Sequence, residues 1–143
     1  MELETEVINN VYKNAHIALQ SISDVIPETQ SENMRAELQN EYEGYEKFIG
    51  ELSEFMAGKG IEPKDINVMK KAMLFTSIKM NALTDDSRSH IAEMMLKGTV
   101  MGISELRQII TRSQNKVSEE IIDYAKKLLA LEEDYEKKLK DLL

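Results

Sequence analysis

Lys13-Asn14-Ala15-His16-Ile17-Ala18-Leu19-Gln20-Ser21-Ile22 lies over Lys97-Gly98-Thr99-Val100-Met101-Gly102-Ile103-Ser104-Glu105-Leu106 without a gap, and the apolar residues fall in phase. The register continues, with Ile26 on Ile110 and Gln30 on Gln114. Further on, Tyr45-Glu46-Lys47 recurs as Tyr135-Glu136-Lys137, with a few extra residues before it. Identities are few, and two amphipathic helices set in phase match at apolar positions whatever their origin. The order carries the reading: a helix and then a Tyr-Glu-Lys stretch recur in the same succession. One helical hairpin used twice is the expectation.

Outward from this repeat, the chain reads as helices throughout. The first is expected from about Leu3 to Val25, with Val7, Val11, Ala15, Ala18, Ile22 and Val25 on one face at a 3.6-residue period. Pro27 breaks it. The second starts near Ser31, which can cap it, and ends at Met56 or Ala57, where Gly58 and Gly60 can stop it. Its inner face reads Met34, Leu38, Glu41, Tyr45, Ile49, Leu52 and Met56. Pro63 marks a connection, and Asp65 is a cap for a shorter third helix reaching about Ala82. Thr84-Asp85-Asp86 opens a fourth, expected to run to about Arg112 with Ala92, Met95, Thr99, Gly102, Leu106 and Ile109 inward. The fifth begins near Ser118 and turns Ile121, Ala125, Leu128, Glu132, Tyr135, Leu139 and Leu142 inward. No segment alternates as a strand.

At 143 residues the chain is expected to be one domain, residues 1–143, with a single core. A hydrophobic content of 42% and a charged content of 31% suit a helical bundle in water. No apolar run is long enough to span a bilayer. The acidic start, Met1-Glu2-Leu3-Glu4-Thr5-Glu6, lacks the basic and apolar segments of a secretory signal. Cysteine is absent, which rules out disulfides and thiolate metal sites and fits a reducing cytoplasm. The net charge of -8 repels phosphate backbones and anionic lipid, so neither nucleic acid nor membrane is an expected partner. The densest basic stretch, Lys126, Lys127, Lys137, Lys138 and Lys140, is interleaved with Glu132, Glu133, Asp134, Glu136 and Asp141 and reads as a solvated face.

Two long hairpins joined by a connection long enough to cross the bundle give the layout of ferritin-like bundles. The chain resembles that superfamily over nearly its whole length, in particular its small bacterial members of uncharacterised function. The resemblance implies an all-α, ferritin-like four-helix bundle built from two duplicated helical hairpins, with an additional helix in the crossover. An up-and-down five-helix bundle is the rival. Catalytic members of the superfamily hold two metals with a Glu on each of two helices and a Glu-x-x-His on each of the other two. This chain has no Glu-x-x-His; the fifth helix offers Glu132-x-x-Tyr135 instead.

The two histidines do not fill the gap. On a helical wheel His16 falls about 125° from the centre of the first helix's apolar face. His90, in His90-x-x-Glu93, points to solvent on the same wheel. Glu41 and Glu132 fall on inner faces near mid-helix, where an unpaired carboxylate is costly. They are the candidate ligands of a pared-down metal site for iron or manganese, with Tyr12, Tyr45 or Tyr135 nearby; otherwise each edges outward or bonds a Tyr hydroxyl or a Lys. Gly98 and Gly102, with Ala15 and Ala18 in the matching stretch, point to close approach of the first and fourth helices, with Gly102 opposite Ala15 or Ala18.

In the third helix Ile66, Met69, Met73 and Met80 form one stripe, while Leu74, Phe75 and Ile78 lie off it. A helix apolar on two sides is buried on two sides. Met73, Leu74, Phe75 and Ile78 are therefore the expected interface of a homodimer, against burial of the same strip inside the domain. No catalytic residue is assigned and no cofactor is expected. The functional expectation is a non-enzymatic, self-associating bundle with a structural or interaction role; the alternative is a metal-binding oxidoreductase or metal-storage protein.

Overall fold

The computed structural model describes residues 2–63 and 87–143. Among these the chain is helical, with no strand. α1 spans Glu2–Val25 and gives way at Pro27 to a short 3-10 turn, Ile26–Glu28. The buried hydroxyl of Thr29 donates to the Val25 carbonyl at 2.9 Å, satisfying one acceptor that the helix end leaves open. α2 spans Glu32–Gly58, and the Ser31 hydroxyl accepts from the Met34 N–H at 3.3 Å. Its end is a Schellman motif: Ile61 N–H donates to Met56 O at 2.9 Å and Gly60 N–H to Ala57 O at 3.1 Å. Gly60 turns the chain there at φ 70°, a conformation that costs glycine nothing.

α3 spans Arg88–Ser113 and α4 spans Glu119–Lys140. They are the fourth and fifth helices of the sequence reading. α3 begins later than expected, because the Ser87 hydroxyl, accepting from His90 N–H at 3.3 Å, is its cap. The expected third helix, its strip Met73, Leu74, Phe75 and Ile78, and Thr84-Asp85-Asp86 lie outside the described residues.

Cross-helix contacts fix the directions. Ser118 N–H, at the start of α4, donates to Glu4 at the start of α1 at 2.7 Å, so these helices run parallel. Arg88, at the start of α3, donates to the Leu142 carbonyl just past the end of α4 at 3.0 Å, so α3 and α4 are antiparallel. Lys127 of α4 pairs with Glu51 of α2, and Tyr45 of α2 bonds Glu132 of α4, which sets these two antiparallel. The order is up, down, down, up. Gly58 and Ser87 therefore sit at opposite ends of a bundle roughly 35 to 40 Å long at 1.5 Å per residue.

The core forms where the four apolar faces meet. Ile8, Val11 and Ile22 of α1, Leu38, Tyr45, Leu52 and Met56 of α2, Ile91 and Leu106 of α3, and Leu128 and Leu139 of α4 are all buried. Every inner residue expected on α2 is buried, and so are those on α4 except Leu142, which is half-buried. No helix among the described residues is long and apolar enough to cross a membrane.

Candidate functional site: an acid-floored cavity between α1 and α3

The interior is not filled where α1 faces α3. Small residues line up there: Ala18 on α1, Gly98 and Gly102 on α3. They leave a cavity of about 350 Å³, at the lower end of the size range of ligand pockets. Ile17 and Ile22 of α1 and Met95 of α3 make its apolar walls. Met101, 63% exposed, lines the cavity as well and marks its mouth. Glu41 and Tyr45 of α2 and Glu132 of α4 form its floor.

Gly102 does face α1, but the neighbour it meets there is Asn14, not Ala15 or Ala18. The Asn14 amide donates to the Gly102 carbonyl at 3.1 Å. A Cβ at Gly102 would fall 2.7 Å from Glu132 Oε1 and 3.5 Å from Asn14 Oδ1. The glycine is thus a notch in α3 that admits both groups. His90 departs from its expected place too: it is half-buried, since Ser87 starts the helix close to the end of α4. His16 is half-buried and packs on the Tyr12 ring, with centroids 4.3 Å apart. Neither histidine lines the cavity.

Glu41 and Glu132 are each 1% exposed, as deep as the core leucines. The Tyr45 hydroxyl donates to Glu132 Oε2 at 3.3 Å, leaving Glu132 Oε1 without a partner. Burial pushes the Glu132 carboxyl up to about 8; the Tyr45 hydrogen bond opposes this, and the charge of Glu105 adds to it. Burial is also the first cause that pushes Glu41 up to about 10, reinforced by the hydrogen bond and charge of Glu37 one turn earlier. Glu37 Oε2 and Glu41 Oε2 both lack a donor when both groups are ionised. The proton that burial makes Glu41 keep is the one its hydrogen bond with Glu37 uses. At neutral pH the floor is therefore a pair of uncharged acids. Tyr45 is raised well above the usual phenol range by burial, then by Glu132 and Glu41, so it stays a donor. Tyr135 packs on Tyr45 with centroids 5.3 Å apart, and its hydroxyl occupies the place a Cβ of Gly44 would take.

This donor set does not fit a di-metal centre. Such a centre draws on four carboxylates and two imidazoles. Here the inner faces bring two carboxyls to the floor, and no group of three His, Cys, Asp or Glu among the described residues could hold an ion. The hydroxyls are committed as donors: Ser21 to Ile17 O, Thr99 to Met95 O, each at 2.9 Å, and Tyr45 to Glu132. Glu132, with a value near neutrality, can hand on or take up a proton. What the arrangement offers is an apolar chamber with hydrogen-bonding groups at one end.

The sequence reading found Glu41, Glu132 and Tyr45 but missed Asn14 and Glu105. Asn14 sits one turn beyond Val11 on the edge of the apolar face, a signal that its polar character masks. No family model matches the chain, and neither a curated protein nor a solved structure matches it.

Proposed function

We infer that this is a ferritin-like bundle without a di-metal centre, acting as a non-enzymatic, self-associating protein in the cytoplasm, with an interaction or structural role. The carrying observation is the bundle's centre: two buried glutamates, neutral at physiological pH, one bonded to Tyr45, beside an apolar chamber and away from both histidines. The up-down-down-up order, with ends 58 and 87 at opposite poles, supports the ferritin-like layout, since one long crossover defines it. The duplication draws support from the cavity. Asn14, Ile17, Ala18 and Ser21 line it, and so do Gly98, Met101, Gly102 and Glu105, their partners in the repeat. Self-association is assigned to Met73, Leu74, Phe75 and Ile78 as a two-fold homodimer contact.

Elemental analysis of the purified protein, with its absorbance spectrum, is the test. Substoichiometric iron and manganese and a spectrum set by tyrosine are expected. One or more equivalents of either metal per chain would overturn the reading in favour of a metal-binding oxidoreductase or storage protein, for which the open oxygen of Glu132 is the favouring observation.

A further inference from the structure

Two acceptors face the Gly102 notch. With Glu132 ionised, its Oε1 and Asn14 Oδ1 are both buried without a donor, 2.7 Å and 3.5 Å from the place a Cβ on Gly102 would take. Asn14 cannot turn its amide nitrogen inward, because that nitrogen is held by the Gly102 carbonyl. Buried acceptors without donors are costly, so the ionised form of Glu132 asks for a donor at this notch. Among the described residues the lining carries three carboxyl groups, Glu41, Glu105 and Glu132, and no Lys, Arg or His. An anionic ligand has nothing among them to pair with. Apart from the hydroxyls of Ser21, Thr99 and Tyr45, which already donate elsewhere, the rest of the wall is apolar, and the volume holds on the order of ten non-hydrogen atoms, taking about 30 Å³ for each water-sized group.

We propose that this cavity binds a small primary amine with an apolar body, its nitrogen donating to Glu132 Oε1 and Asn14 Oδ1 at the Gly102 notch and its body lying against Ile17, Ile22 and Met95. The amine group carries the donors that both oxygens lack. Arriving as the free base, its lone pair takes the Glu132 carboxyl proton, giving an ammonium beside a carboxylate without bringing net charge into the interior. The Tyr45 hydroxyl stays on the other carboxylate oxygen and supports the ionised form. A metal cation would need more ligands than the notch supplies.

The inference rests on reading the centre as one without a di-metal set, and the two fail separately. Stoichiometric metal in the purified protein overturns that reading whatever the amine does; failure of amine binding to metal-free protein overturns this inference alone. The experiment titrates the full chain with 2-phenylethylamine, 2-phenylethanol and 3-phenylpropanoate by calorimetry. The amine is expected to bind at least about tenfold tighter than the alcohol, and the carboxylate not to bind, a difference set by charge-assisted hydrogen bonding on a shared apolar body. Glu132→Gln keeps the shape and the acceptor for Tyr45. It should weaken the amine at least about tenfold and leave the alcohol unchanged, which a merely structural role would not do. Ala18→Leu, which fills the wall, should weaken both. Equal affinity for amine and alcohol, no binding of any probe, preference for the carboxylate, or an unchanged amine affinity in Glu132→Gln would each overturn the proposal.

Discussion

Replacing Glu132 by Gln should make the protein more stable, and increasingly so as the pH rises. The folded value is about 8, against 4.5 for the ordinary carboxyl. Between these limits the folded chain holds a proton that the unfolded chain has released, so stability falls as pH rises through the window. Each pH unit inside it costs at most about 1.36 kcal/mol for one group, or about 2.7 kcal/mol from pH 5.5 to 7.5. Gln at this place has nothing to titrate and still accepts from Tyr45. The groups facing Glu132 are the Tyr45 hydroxyl from α2, which holds the value down, and Glu105 from α3, which pushes it up. Glu41 titrates over a wider window, up to about 10, but it does so in both proteins and cancels in the comparison. Urea unfolding followed by circular dichroism at pH 5.5, 6.5 and 7.5 measures the difference. The curves should lie closest at the lowest pH and separate by up to about 2.7 kcal/mol across the range, with the urea dependence unchanged. Two parallel pH profiles would mean that Glu132 is ionised in the folded protein, and the neutral floor would be refuted.

Two further outcomes follow from the packing, and a third from the sequence of the expected third helix. Gly44→Ala should destabilise, because the new Cβ meets the Tyr135 hydroxyl, whereas Gly50→Ala, with open space around it, should gain up to about 1 kcal/mol from helix propensity. Thermal unfolding checks both, and Tyr135→Phe should rescue the first; equal gains at both glycines would place Tyr135 elsewhere. Gly102→Leu should cost roughly 1 to 3 kcal/mol despite leucine's helix propensity, since the side chain displaces Glu132 and Asn14, and a variant as stable as the parent in chemical unfolding would put Gly102 on the solvent face. Phe75→Glu should turn a dimer at micromolar concentration into a folded monomer by light scattering; a parent that is monomeric throughout, or a variant that unfolds, would assign the strip to the chain's own core.

Much of the bundle was legible because helix ends and faces are local properties. Ser31 and Gly60 sit where α2 starts and stops, and the 3.6-residue period alone places Glu41, Tyr45 and Glu132 inside, where they are buried. The cap at Ser87 was missed because Thr84-Asp85-Asp86 carries a similar signal a few residues earlier, and a cap is chosen by where the helix can pack. The cavity was not legible at all. Gly98, Gly102 and Ala18 suggest close approach equally well, and whether small residues bring helices together or leave room between them depends on what the neighbouring helices insert. Here α2 and α4 insert carboxyls and α1 inserts Asn14, whose partner is a backbone carbonyl that no side-chain pattern announces.

An anaerobic Fe(II) titration of the metal-free protein asks whether the middle of this bundle can serve as a di-metal centre. No tight binding is expected, because burial keeps Glu41 and Glu132 protonated and no third ligand joins them among the described residues. Two tight sites per chain, lost in both Glu41→Ala and Glu132→Ala, would contradict it.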